Sequence, residues 1–326
     1  MLNDIFARID RKEPLTKEEA IELLSIPNLS QDYYRLLARA NQASKEDYGD
    51  KGYIFAQIGL DAQPCSGDCV FCSLACSNCG ELEMEEKSTQ EILNLVSRID
   101  FTKVTAVFLM TTAEYDPEKF LEVGRAVRAH IPADIAMVAN TGDFDLSYAE
   151  KLKAAGYTGA YHIVRLGEGR DTALIPEERI KTLDAIKDVG LRLYYCLEPI
   201  GPEHTYDELA TEMLRARDYD VEVMAAMRRV SVAGTPYEDR GMVDDFEYAK
   251  IVAVCRLVSM PAVSMNVHEP HTLAMLGGVN QLYAEIGVNP RDNDRQTENS
   301  RGYSVEAVTK LLNQAGYIPC VEKRKA

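Results

Sequence analysis

The chain has 326 residues, 46% of them hydrophobic and 27% charged, with a formal net charge of −16. That composition fits a folded globular protein with a sizeable core, and no apolar run approaches the roughly 20 residues needed to cross a bilayer. The acidic balance argues against nucleic acid as a general ligand. The opening stretch "MLNDIFARIDRKEPLTKEEA" lacks an apolar signal-peptide core, so a cytoplasmic protein without a membrane partner is expected, with its thiols kept reduced.

Residues 1–52 predict a helical lead-in. "LTKEEAIELLSI" opens with a capping box, Thr16 with Glu19, ahead of an amphipathic run. A second helix is expected over roughly Ser30 to Ala43, with Tyr33, Leu36 and Leu37 on one side. After Gly52 the pattern changes to short apolar strands alternating with amphipathic helices. Strands are predicted at "YIFAQIGL", "VTAVFLM", "IAMVAN", "GAYHIV", "LRLYYCL", "VEVMAAM", "AVSMNV" and "NQLYAEIG". Helices between them include "STQEILNLVSRI", "DPEKFLEVGRAVRAHI", "DLSYAEKLKAAG", "PEERIKTLDAIKDVG" and "DFEYAKIVAVCRLV". Two of these end on the glycine stop favoured just past a helix C-terminus. Such alternation implies parallel strands joined by right-handed crossovers. Eight strands predict a TIM-type (βα)₈ barrel, an α/β fold, whose active site lies at the strands' C-terminal ends. No linker divides residues 53–326, which are expected to form one barrel with a C-terminal extension.

The loop after the first strand reads "PCSGDCVFCSLACSNCG" and holds five of the eight cysteines. In a reducing compartment, clustered cysteines point to metal ligation or redox work rather than a disulfide framework. Cys65, Cys69 and Cys72 are spaced C-x₃-C-x₂-C, and three thiolates on one tight loop suit three irons of a [4Fe–4S] cubane, leaving the fourth open. A structural zinc would want a fourth protein ligand.

This loop and its place after the first strand resemble the radical S-adenosylmethionine (SAM) superfamily. Over about residues 15–320 the chain is similar to the branch containing biotin synthase, the [FeFe]-hydrogenase maturase and methylornithine synthase. The resemblance implies a [4Fe–4S] cluster on Cys65, Cys69 and Cys72 whose open iron chelates SAM. It also implies reductive cleavage to a 5′-deoxyadenosyl radical and hydrogen abstraction from an unactivated carbon. An electron donor such as ferredoxin or flavodoxin and a small-molecule or carrier-bound substrate follow from it. In "TTAEYDP", Glu114 and the neighbouring backbone resemble the family's binder of the SAM amino group, although the family's glycines are absent. Arg179, in "PEERIKTLDAIKDVG", resembles the arginine that pairs with the SAM carboxylate, a role suited to the guanidinium fork. Glu168, in "VRLGEGRDT", resembles an acid that contacts SAM, with Arg165 beside it.

Cys76 and Cys79 remain as a C-x₂-C pair. Two readings stand: a small zinc or redox pair, or an auxiliary Fe–S cluster completed by Cys196 on the fifth strand, with Cys320 as a weaker third ligand. Cys255, inside an apolar helix, is expected to be a core residue. The auxiliary cluster is the favoured reading, and with it sulfur insertion in cofactor biosynthesis is expected, as in biotin or lipoyl synthases, the sulfur coming from that cluster. Without it, maturase-like or methylornithine-synthase-like chemistry is expected, and a non-catalytic Fe–S carrier or scaffold is the alternative of another class. His162 is expected to face the barrel lumen and meet substrate. His268, Glu269 and His271 close the seventh strand, where they suit a metal or substrate or are simply polar residues at a barrel mouth.

Overall fold

The computed structural model describes residues 2–79, 84–268, 270–287 and 302–319. Three helices lead in: α1 Leu2–Asp10, α2 Lys17–Leu24 and α3 Gln31–Tyr48. The Thr16–Glu19 capping box forms in both directions, Thr16 Oγ1 accepting from the Glu19 N–H and Glu19 from the Thr16 N–H. Helix α3 runs five residues past the expected end, because no breaker intervenes before Gly49, whose φ is 66°.

Eight strands follow: β1 Lys51–Gly59, β2 Ala106–Met110, β3 Ala136–Asn140, β4 Gly159–Tyr161, β5 Arg192–Ile200, β6 Val223–Arg228, β7 Ser264–Val267 and β8 Gln281–Glu285. Each pairs in parallel with the next, and β8 pairs with β1, so the sheet closes on itself. Buried on both faces, these strands read as continuous apolar runs, the form parallel sheets take. Around them lie α4 Thr89–Val96, α5 Pro117–Arg128, α6 Leu146–Ala154, α7 Pro176–Val189, α8 Tyr206–Asp218, α9 Asp245–Ser259, α10 Thr272–Met275 and α11 Val305–Gln314. This is the expected (βα)₈ barrel. A two-residue strand, Ile318–Pro319, adds to the start of β1.

Two features position the site. Inside the barrel, Phe55, Phe108, Tyr194 and Tyr283 meet with ring centroids 5.1 to 6.0 Å apart and fill the lumen. Edge-to-face and offset pairs of this kind contribute roughly 0.5–1.5 kcal/mol each beyond their burial. Within the barrel, the lumen is thereby closed below the C-terminal ends of the strands. Outside, α9 bolts the lead-in to the barrel. Buried Arg256 donates to Ser44 Oγ (2.8 Å) and Asp47 (2.6 Å), and Lys250 donates to the Ile26 carbonyl (3.0 Å). Cys255 is buried in the same helix, among apolar neighbours, and burial pushes its thiol up.

Candidate active site

A cavity of about 320 Å³ opens at the C-terminal ends of the strands. One wall is the cysteine loop. Its backbone is strapped from three directions: Cys65 N–H donates to the Leu74 carbonyl (2.7 Å), Val70 N–H to Asp171 (3.0 Å) and Ala173 N–H to Gly67 (2.9 Å). Cys65, Cys69 and Cys72 all line the cavity, Cys69 buried and the other two half-buried, and all three are free of disulfides. Burial pushes the Cys69 thiol up to about 11, against the pull of the Arg165 guanidinium. Iron requires thiolates, so cluster loading would displace that proton. Three thiols on one rigid loop facing one enclosed space are a donor set that suits three irons of a cubane.

The opposite wall is cationic. Proline at the start of α7 and left-handed Gly190 at its end set that helix, and its first turn carries Arg179. Arg179 is 5% exposed. Its Nε donates to the Ile163 carbonyl (2.9 Å) and its Nη1 to Asp143 (2.8 Å). Burial, then the neighbouring Arg165, lowers its pKa. Asp143 is held below the usual carboxylate range, because the adjacent His162 ring and the charge of Arg179 outweigh burial. Glu168 does not line the cavity. Its side chain, 1% exposed, accepts from the Arg165 N–H (2.8 Å) and from Thr172 Oγ1 (2.9 Å), behind both arginines. The turn that carries it needs Gly167: φ is +73°, and a Cβ there would lie 2.2 Å from Asp171 Oδ2.

Several expected positions differ in the fold. Glu114 does not reach the cavity with its carboxylate, which accepts from the Ser66 N–H (3.1 Å) and braces the cysteine loop. The preceding Thr111, Thr112 and Ala113 line the cavity instead, Thr112 being fixed by its N–H and hydroxyl to buried Asp61. His162 does not face the lumen. Tyr161 does, and the pleat turns the next residue outward. The His162 ring therefore lies behind the cavity wall, Nε2 3.3 Å from Asp143 and packed on Phe144. Burial, then Arg179, lowers its pKa to about 3. His268 lines the cavity, its ring tilted against Tyr283 (centroids 4.8 Å apart), with Nε2 3.2 Å from Gln57 Nε2. His271 is drawn away to Asp245 (3.1 Å), so the two histidines do not converge, and Glu269 lies outside the described residues.

The proposed auxiliary set is not brought together. Cys76 is exposed, with Cys79, Asp68, Cys65 and Glu114 as its charged or titratable neighbours. Cys196 lies inside the barrel against Tyr161, Glu198 and Tyr283, where burial drives its thiol well up. Among the described residues, no group of three His, Cys, Asp or Glu side chains is drawn together closely enough to hold a metal ion, and that includes Cys65, Cys69 and Cys72. Cys320 falls outside the described residues.

Among the lining residues that escaped the sequence reading, two are charged and stand at the floor and the rim. Glu198 accepts from the Tyr161 hydroxyl (2.9 Å) at the cavity floor, and Arg228 stands at the rim, tied to Asp245 (2.7 Å). Period-two alternation along β5, through Tyr194, Cys196 and Glu198, was the available signal for Glu198.

No family model matches the chain. Among characterised proteins it is similar to biotin synthase of Clostridioides difficile (strain 630), 26% identical over 266 residues, 77% of this chain and 79% of that protein. Biotin synthase of Anaplasma marginale (strain Florida) is 21% identical over 314 residues, 90% of this chain and 94% of that protein. Among solved structures, methylornithine synthase (PylB) superposes with a TM-score of 0.83 at 17% identity, over 98% of both chains. The FeFe-hydrogenase maturase HydG from Carboxydothermus hydrogenoformans gives 0.80 at 18% identity, over 97% of this chain and 78% of that one. Structural likeness at such identities bears on the fold.

Proposed function

We propose, from the premise that the chain belongs to the radical SAM superfamily on its biotin-synthase-like branch, that it cleaves SAM reductively and removes a hydrogen atom from a small substrate held in the barrel mouth. The observation that carries this reading is the opening of Cys65, Cys69, Cys72 and Arg179 onto one enclosed cavity. Cys65, Cys69 and Cys72 would hold the [4Fe–4S] cluster. When bound, cluster and SAM supply one-electron cleavage of a carbon–sulfur bond and the hydrogen-abstracting carbon. A low-potential reductant is required, with ferredoxin or flavodoxin as the candidate donors.

The chain's own residues do the binding and shielding. Arg179, fixed by the Ile163 carbonyl and Asp143, would take the SAM carboxylate with little ordering cost left to meet. The backbone of Thr111–Ala113 would face the amino group, while Glu114 acts through Ser66 on the cysteine loop. Glu168 is a positioning residue for both arginines. The aromatic plug closes the lumen below, and exclusion of water above keeps a reactive carbon on its intended target. The lead-in helices α1 to α3, ending at Tyr48, serve as a support bolted on by α9, and the barrel begins with β1 at Lys51, two residues before the expected boundary.

Sulfur insertion is the second reading. The biotin synthase relatives and the position of Cys196 beneath the cavity floor favour it. The exposure of Cys76 against the full burial of Cys196 weighs against the cluster on which it depends. Radical chemistry without sulfur transfer therefore fits the geometry better. Anaerobically reconstituted protein given SAM and dithionite should release 5′-deoxyadenosine. Intact clusters with no SAM turnover would instead leave an Fe–S carrier or scaffold.

A further inference from the structure

A carbon-centred radical made in this cavity must regain a hydrogen atom, and the wall holds few groups able to give one. Thiols and phenols give hydrogen atoms readily to carbon radicals, because their S–H and O–H bonds are weaker than a primary C–H bond. Water and aliphatic alcohols do not. Among the described residues that line the cavity, the only thiols are Cys65, Cys69 and Cys72, which are reserved for the cluster, and the only phenol is Tyr161.

Tyr161 ends β4 at the cavity floor, and its hydroxyl donates to Glu198 (2.9 Å). On the neighbouring strand, Cys196 lies against both groups. Alternation along β5 puts Cys196 and Glu198 on one face, yet Cys196 is fully buried and does not line the cavity. Burial first, then Cys196 and Glu198, keeps Tyr161 a neutral phenol. Burial, then Glu198, keeps Cys196 a neutral thiol. Each therefore holds a hydrogen atom to give, and only Tyr161 meets the cavity.

We infer that Tyr161, refilled by Cys196 behind it, is the hydrogen-atom donor that quenches the product radical. The inference rests on the radical SAM reading. The Tyr161 O–H bond breaks and a C–H bond forms on the radical, leaving a phenoxyl. The phenoxyl takes the hydrogen atom of the Cys196 thiol. The buried thiyl then receives one electron from the low-potential reductant and one proton from solvent, which restores the thiol. Each turnover thus draws one electron to cleave SAM and another to reset Cys196, and SAM is consumed rather than regenerated. Glu198 is the positioning residue, holding the Tyr161 hydroxyl over the thiol until a radical arrives.

The test needs no substrate, because without one the 5′-deoxyadenosyl radical is itself the carbon radical in the cavity. Anaerobically reconstituted protein is given SAM and titanium(III) citrate in deuterium oxide, free of small thiols. Mass spectrometry then reads the 5′-deoxyadenosine. Most of it should carry one deuterium, taken from the exchanged Tyr161 O–D. Tyr161→Phe should lower that fraction at least fivefold, whatever its rate of cleavage. Cys196→Ala should deuterate a single 5′-deoxyadenosine per chain and then show a tyrosyl signal in electron paramagnetic resonance. Undeuterated 5′-deoxyadenosine from the unaltered protein would overturn the inference and leave the radical SAM reading standing, even if a variant failed to fold. So would a Tyr161→Phe product as rich in deuterium as before. A protein that forms no 5′-deoxyadenosine at all would overturn both.

Discussion

Replacing Glu168 with glutamine tests how the cationic wall is held. The carboxylate is 1% exposed and accepts two hydrogen bonds, from the Arg165 N–H at 2.8 Å and Thr172 Oγ1 at 2.9 Å. It also faces Arg179 Nε at 3.5 Å and Arg165 Nη1 at 3.8 Å. A glutamine offers one carbonyl oxygen, so one of the two donors would meet an NH₂ group, losing a bond to a charged acceptor of about 1.5–3 kcal/mol. Two buried arginines lose a shared counter-charge as well, and breaking such an arrangement costs roughly 3–5 kcal/mol. Glu168→Gln is therefore expected to lower stability by about 3 kcal/mol in urea unfolding, with SAM retention falling at least tenfold. A variant within about 0.5 kcal/mol of the unaltered protein would refute the proposed support of Arg165 and Arg179.

Gly167→Ala should destabilise the protein by about 1–3 kcal/mol, because a Cβ would meet Asp171 in a left-handed backbone; equal urea midpoints would contradict this. His162 gives a pH signature. Its pKa lies at about 3, below its ordinary 6.5, so the unfolded chain binds a proton that the folded chain refuses. Its contribution is intact above about 6.5 and is lost as pH falls toward 3, at up to about 1.4 kcal/mol per unit. His162→Phe should flatten the unfolding free energy against pH in that window, whereas an unchanged slope would assign the acid sensitivity elsewhere. The Cys76→Ala, Cys79→Ala double variant should keep about four irons per chain and full SAM cleavage, since those thiols lie off the cavity. A drop in iron would restore the auxiliary cluster.

The barrel was legible because parallel strands buried on both faces write uninterrupted apolar runs, and all eight appear where those runs lie. Helix α8 was not among the helices named, although Thr205 and Glu208 form a capping box at its start. The cysteine spacing was readable because its ligands are local in sequence. Facing was harder. A one-residue step in the pleat separates lumen-facing Tyr161 from outward His162, and β4 is only three residues long. The contact of Arg165 with Glu198 and Tyr161 depends on how β4 and β5 lie side by side, which no local pattern encodes. His271 was lost to Asp245, a partner 26 positions earlier in the chain, so the H-x₂-H spacing did not survive folding as a pair.

The most direct measurement is Mössbauer spectroscopy of the anaerobically reconstituted, iron-57-labelled protein with and without SAM. A cubane on Cys65, Cys69 and Cys72 predicts that one iron in about four changes its parameters when SAM is added, and that alanine at any of the three cysteines abolishes the signal. A colourless protein holding zinc, or four irons indifferent to SAM, would contradict the account.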